Sequence, residues 1–171
     1  MTVPTLRTER LLLRGLVQED APVLAAELNN YEISKWLTVV PYPYTLADAE
    51  WFIGENLAGR MLARTIWRGE VFVGVMSIDK ELGYWLAQDA WGQGYATEAA
   101  GAVVGHQFAS TDAEAVGSSH FVENEASRNV LTKLGFVDIG PHVHFSKARD
   151  AEVPGRSMEL TRARWEASQD A

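Results

Sequence analysis

The chain has 171 residues, 47% of them hydrophobic, which suffices for one domain with its own core and no covalent staples. It has no cysteine, so disulfides and thiolate chemistry are excluded. Its 15 basic and 23 acidic side chains leave a charge of −8, which argues against nucleic-acid binding and mildly favours a cationic partner such as an amine.

The opening segment, residues 1–7, lacks the apolar stretch of a signal peptide, and no run approaches the length that spans a bilayer. These features predict a cytoplasmic protein without a membrane partner. Residues 11–14 read as a first strand. Asp20 and Pro22 then mark a helix start, with Ala21, Leu24, Ala25 and Leu28 at helical spacing. Residues 31–37 form a second short helical stretch, and Pro41-Tyr-Pro-Tyr44 is a loop. Thr45 is placed to cap a helix that runs to about Asn56, with Asp48 three residues on.

The period then changes. Residues 62–67, 71–78 and 82–87 read as three strands, with Gly69 and Asp79-Lys80 at their junctions. Junctions this short allow only antiparallel pairing. After Trp91-Gly-Gln-Gly-Tyr-Ala-Thr97, the residues Ala96, Ala99, Ala100, Val103, Val104 and Phe108 define a long helix. A strand over 116–122 follows. Ala126, Val130, Leu131 and Leu134 mark another helix, stopped by Gly135. Strands over 136–139 and 157–160 close the pattern, and the tail from about Ala167 is expected to fray. The sum is a mixed α/β domain with an antiparallel front half and a β-α-β-α-β back half.

The glycine segment carries the chemistry. Gly92 and Gly94 leave no side chain to block an approaching ligand. The helix behind them offers main-chain N–H groups without internal partners at the positive end of its dipole, which suits a phosphate or pyrophosphate. A dinucleotide fingerprint would need a third glycine where Thr97 stands, and no Gly-Lys-Ser/Thr follows for a P-loop.

The segment Tyr84-Trp-Leu-Ala-Gln-Asp-Ala-Trp91-Gly92-Gln-Gly94-Tyr-Ala96-Thr97 resembles the cofactor motif of the GNAT superfamily of N-acetyltransferases, and within it the RimJ/RimL branch. Trp91 stands where the superfamily usually has Gln or Arg. The segment 8–14, Thr-Glu-Arg-Leu-Leu-Leu-Arg, is similar to the branch's first strand. The segment 124–136 is similar to its second cofactor motif.

The resemblance implies a single domain over residues 1–171. It implies a mostly antiparallel central sheet flanked by helices, with a splayed strand pair at the cofactor site. It also implies direct transfer from acetyl-CoA to an amine in a ternary complex, without a metal. The acceptor is a peptide N-terminus or a small-molecule amine, and the protein a monomer or homodimer. By resemblance, the backbone at Tyr84, Trp85 and Leu86 is the thioester platform. Gly92, Gln93, Gly94, Tyr95, Ala96 and Thr97 hold the pyrophosphate, and Asn124 and Ser127 touch the pantetheine arm. Ser127 is the candidate acid near the sulfur, because Leu131 occupies the position where many relatives carry an acidic Tyr; Tyr84 is a substitute. Glu81 is the candidate base, directly or through water. Trp36, Tyr42, Tyr44 and Trp51 lie where the family builds its acceptor pocket, and Glu27, Glu32 and Asp48 are acids that would attract a cation. The four histidines read as polar strand or surface residues. A non-catalytic acetyl-CoA sensor on the same fold is the alternative.

Overall fold

In the computed structural model of the protein, residues 3–170 are described. The first strands are β1 (Leu6–Arg7) and β2 (Leu12–Gly15). Three short helices follow: α1 (Ala21–Leu28), α2 (Tyr31–Ser34) and α3 (Leu46–Leu57). Next come β3 (Ala63–Arg68), β4 (Val71–Ile78) and β5 (Leu82–Leu86). The long helix α4 (Tyr95–Ser110) leads into β6 (Ala115–Phe121), α5 (Glu125–Leu134), β7 (Val137–Ser146), β8 (Ala151–Thr161) and α6 (Arg162–Gln169).

The tight junctions force a meander, and β1 to β5 pair antiparallel in chain order. The back half makes a separate three-stranded sheet, in the order β6-β8-β7. The two sheets meet between β5 and β6, which run parallel because α4 carries the chain back between them. Their main-chain contact is one bridge, Glu81 to Gly117, with the Gly117 N–H donating to the Lys80 carbonyl at 3.2 Å. The Ser118 hydroxyl adds a bond to the Leu82 carbonyl at 2.8 Å. Beyond these contacts the pair carries no ladder, so the strands part toward Leu86 and Phe121.

One core spans both sheets. Leu13, Ile66 and Met76 from the first pack with Met158 and Leu160 from the second, across Val103, Val104 and Phe108 of α4. The small Ala96, Ala99 and Ala100 let α4 lie close on the sheets. A second core holds α1 and α3 on the opposite face through Leu24, Leu28 and Ile53 against Val75. Each fully buried large side chain contributes roughly 1.5–3 kcal/mol. Among the described residues, no helix is long and apolar enough to cross a membrane.

Several expected bounds shift. Helix α2 stops at Ser34 rather than 37, and the two-residue β1 was not anticipated. Strands β7 and β8 run far past 136–139 and 157–160, through Pro141 and Pro154. Proline usually ends a strand reading, but β7 is an edge strand with a register shift between Asp138 and Gly140, where an absent N–H costs no ladder bond. The tail expected to fray from Ala167 is helical to Gln169. Thr161 caps α6, and Trp165 packs on Phe108 with ring centroids 6.1 Å apart. Ala171 lies outside the described residues.

Candidate active site

The parting of β5 and β6 opens a cavity of about 940 Å³. Its walls come from both strands, the loop into α4, the start of α5, and Ile33, Trp36, Leu37 and Thr38.

At one end lies the glycine segment. Gly92 and Gly94 have φ of +74° and +81°, a left-handed backbone that glycine adopts without strain. A Cβ on Gly92 would meet no protein atom within 4 Å, so this backbone faces open space. Gly94 caps α4 without a side-chain bond, and the first intrahelical bond runs from Glu98 N–H to the Gly94 carbonyl at 3.1 Å. The amides of Tyr95, Ala96 and Thr97 therefore stand unpaired at the positive end of a 16-residue helix. Arg10 fixes the turn from behind: it donates to the Gln93 carbonyl at 3.0 Å and pairs with Glu98 at 2.7 Å.

In the middle, strand alternation sets the donors. The Ala87 N–H bonds the Val73 carbonyl at 2.8 Å, toward β4. With a period of two, the N–H groups of Tyr84 and Leu86 point the other way, into the gap. Gly117 donates across to Lys80, so the Ser119 N–H on β6 faces the same gap. The indole N–H of Trp91 caps the Leu86 carbonyl at 3.0 Å. This is the work of the residue that departs from the superfamily pattern.

Where α5 crosses the gap, the Tyr84 hydroxyl donates to Ser127 Oγ at 3.2 Å. Burial pushes the Tyr84 hydroxyl up from its ordinary pKa, with the Ser127 bond opposing in part. It therefore stays protonated and can donate. Leu131 is fully buried in the core, out of reach of the cavity. Asn124 lines the cavity, and its side-chain oxygen accepts from the Ser127 N–H at 3.2 Å as the cap of α5.

The far end is framed by Trp36, Phe121, His120, His144, Glu81 and Glu123. Arg149 organises it from outside the cavity. Its guanidinium lies 5.3 Å over the Trp36 ring and 5.2 Å over the Phe121 ring, donates to the Lys35 carbonyl at 2.7 Å, and pairs with Glu123. Nothing in the sequence marked Arg149, because Lys35, Trp36 and Glu123 are far from it along the chain.

The structure brings most of the anticipated residues to this cavity: Glu81, Tyr84, Trp85, Leu86, Gly92, Gly94, Tyr95, Ala96, Thr97, Asn124 and Ser127. Gln93 does not line it. Its side chain turns back to the Asp89 carbonyl at 3.0 Å and accepts from the Tyr95 hydroxyl at 3.1 Å. The Tyr95 ring is buried, with its hydroxyl bonded by Arg68 at 2.7 Å, so only its main chain faces the ligand side. Of the four aromatics expected around an acceptor, Trp36 alone lines the cavity. Tyr44 is core, its hydroxyl pushed up to about 12 by burial and then by Asp48. Tyr42 stacks on Tyr31, and Trp51 is exposed on α3. Glu32 pairs with Lys35 and Asp48 closes the capping box of α3; neither these nor Glu27 reaches the cavity. Among the described residues, no group of three His, Asp or Glu gathers as a metal site.

Comparison with known proteins agrees with this geometry. A model of the acetyltransferase (GNAT) domain matches residues 10–137. An uncharacterized N-acetyltransferase, p20 of Bacillus licheniformis, is 30% identical over 159 residues, covering 85% of this chain and 89% of its own. Two solved structures share the fold. Mycobacterium smegmatis RimJ in complex with CoA-disulfide has a TM-score of 0.81 at 22% identity, covering 95% of this chain and 88% of its own. The microcin C7 self-immunity acetyltransferase MccE, in complex with acetyl-CoA and AMP, has a TM-score of 0.78 at 18% identity, covering 90% and 93%. The cavity between parted strands, the glycine turn ahead of α4 and these likenesses lead to one conclusion: the chain belongs to the GNAT family of acetyltransferases.

Proposed function

We propose that the protein transfers the acetyl group of acetyl-CoA to a primary amine by direct attack within a ternary complex. The observation that carries the reading is the row of unpaired main-chain donors, from Tyr84 and Leu86 on β5 to Tyr95, Ala96 and Thr97 on α4, along one wall of the cavity. That row fits a long ligand with a thioester at one end and a pyrophosphate at the other. Acetyl-CoA is such a molecule, and it is consumed, so it is a substrate here.

Each residue then has a task. The amides of Gly92 to Thr97 hold the pyrophosphate. The β5 amides are fixed before reaction and stabilise the negative charge that develops on the carbonyl oxygen. Holding both reactants in one cavity removes the entropic cost of their meeting. The Tyr84 hydroxyl donates to Ser127 Oγ, so Tyr84 supplies a proton through the Ser127 hydroxyl where the thiolate leaves. Glu81 and Glu123 draw the cationic amine to the far end, and Glu81, at the rim, is the candidate to take up the released proton, directly or through an intervening group. Trp36 and Phe121 provide an apolar wall beside the amine.

The acceptor is a peptide N-terminus or a small-molecule amine; relatives with the same fold include RimJ. The test is thiol release from acetyl-CoA with a panel of a serine-led peptide, an alanine-led peptide, single amino acids, spermidine and an aminoglycoside. Turnover with at least one amine supports the reading. Coenzyme A binding by calorimetry with no turnover across the panel turns it toward a sensor, and absence of binding removes it.

A further inference from the structure

Glu81 is exposed at the rim, over Gly117, with its Cγ 3.4 Å from where a Cβ on that glycine would stand. A second group sits deeper at the same end. His144 borders the cavity from β7, the strand beyond β8, and shares a sheet face with Phe121, its ring 6.3 Å from the Phe121 ring. Its other ring neighbour is His142, 4.1 Å away edge-on. The His144 Nε2 is closed off from solvent and has no hydrogen-bond partner. Most buried polar atoms have a hydrogen-bond partner. Among the described residues Ser34 Oγ and Trp67 Nε1 also lack one, and of these three His144 alone borders the cavity, where a ligand could supply it.

We propose that the His144 imidazole is the catalytic base, taking a proton from the acceptor amine, with Glu81 passing that proton to solvent. This rests on the acetyl-transfer reading. His144 lines the cavity, and in this proposal its ring turns about Cβ–Cγ, a soft torsion, as the amine binds, so that the nitrogen meets it. The ammonium gives one proton to His144, which frees its lone pair. The nitrogen attacks the thioester carbon, a C–N bond forms, and the C–S bond breaks with its electron pair on sulfur. The Ser127 hydroxyl protonates that sulfur and takes the Tyr84 proton in its place, and the second nitrogen proton replaces the one Tyr84 gives up. One proton leaves the site in total.

The surroundings favour an uncharged ring. Burial holds the His144 pKa below the ordinary histidine value, the neighbouring His142 lowers it further, and Glu81 opposes them. Glu123 and Arg149 are the other charged groups near this face, and they are paired with each other across Phe121. A neutral imidazole is free to accept a proton at neutral pH.

The experiment compares wild type with His144→Gln, Glu81→Gln and His142→Gln, using acetyl-CoA and the amine of the panel that turns over fastest. His144→Gln is expected to lower kcat about 100-fold at pH 7. KM and the calorimetric affinity for coenzyme A should stay within about threefold, and the acid limb of the pH–rate profile should disappear. His142→Gln should change kcat less than about threefold, and Glu81→Gln an intermediate amount. A structural role would instead raise KM or lower the melting temperature with the acid limb intact, and that result overturns the proposal. Nitrogen-detected NMR of the histidine rings decides without any acceptor. The proposal requires His144 to be neutral at pH 7, and a protonated ring at that pH overturns it. If wild type binds coenzyme A but turns over no amine, acetyl transfer itself falls, and the NMR result still rules on the free base.

Discussion

Tyr84 and Ser127 share a hydrogen bond between β5 and α5, and both line the cavity. Tyr84→Phe removes the donated proton and keeps the ring. It is expected to lower kcat roughly 100-fold while calorimetric affinity for coenzyme A holds. Ser127→Ala removes the hydroxyl that passes the proton on, which water can replace in part, and a loss of about tenfold is expected. Burial raises the Tyr84 pKa above its ordinary value near 10, so the acid form persists through the alkaline range. The pH–rate profile of wild type should therefore show no loss from Tyr84 below about pH 10; a fall near pH 8 that vanishes in Tyr84→Phe would contradict this. At this scale the sequence was informative where local rules suffice. Gly92 and Gly94 announced an open approach to the start of a helix, and Thr45 with Asp48 announced a cap. Arg149 was silent, and His144 read only as a polar strand or surface residue, because their surroundings come from neighbours that only folding brings close.

At the scale of elements, the platform depends on how β4 seats β5. Gly74 stands opposite Leu86, next to the register shift between Ile66 and Trp67. A Cβ on Gly74 would fall 2.2 Å from the Trp85 carbonyl oxygen and 2.9 Å from Leu86 Cα. These are backbone atoms that cannot yield without moving β5. Gly74→Ala is expected to cost about 1–3 kcal/mol. The melting temperature should fall by roughly 2–12 °C, with coenzyme A affinity reduced in the same protein. A thermal scan and a calorimetric titration of one sample check both. The strand pattern of the front half was readable because polar junctions and apolar alternation agree there. The lengths of β7 and β8 were not, since Pro141 implies a chain break unless β7 is known to be an edge strand, and Pro154 reads as a break although β8 continues through it. Helix α6 has no apolar stripe of its own beyond Trp165, so its periodicity was too faint to read.

For the whole molecule, α4 joins two sheets that share a single core, and the proposed ligand would lie against both of them. A ligand that binds only the folded state stabilises it by mass action. Coenzyme A at 100 times its dissociation constant should add about 2.7 kcal/mol, a rise of roughly 5–10 °C in melting temperature for a chain of this size. A scan that is flat with coenzyme A, in protein shown to be folded, would count against the ligand. The net charge of −8 opposes an anionic ligand at long range, so the attraction must be local, at the start of α4.

The missing ladder between β5 and β6 leaves the Tyr84, Leu86 and Ser119 amides without a main-chain partner although they sit inside the fold. Those amides should trade hydrogen for deuterium within the earliest time points, while Ala87, tied to Val73, lags by orders of magnitude. Coenzyme A should slow the fast set and leave Ala87 unchanged, as though a borrowed strand had been slipped into the open seam.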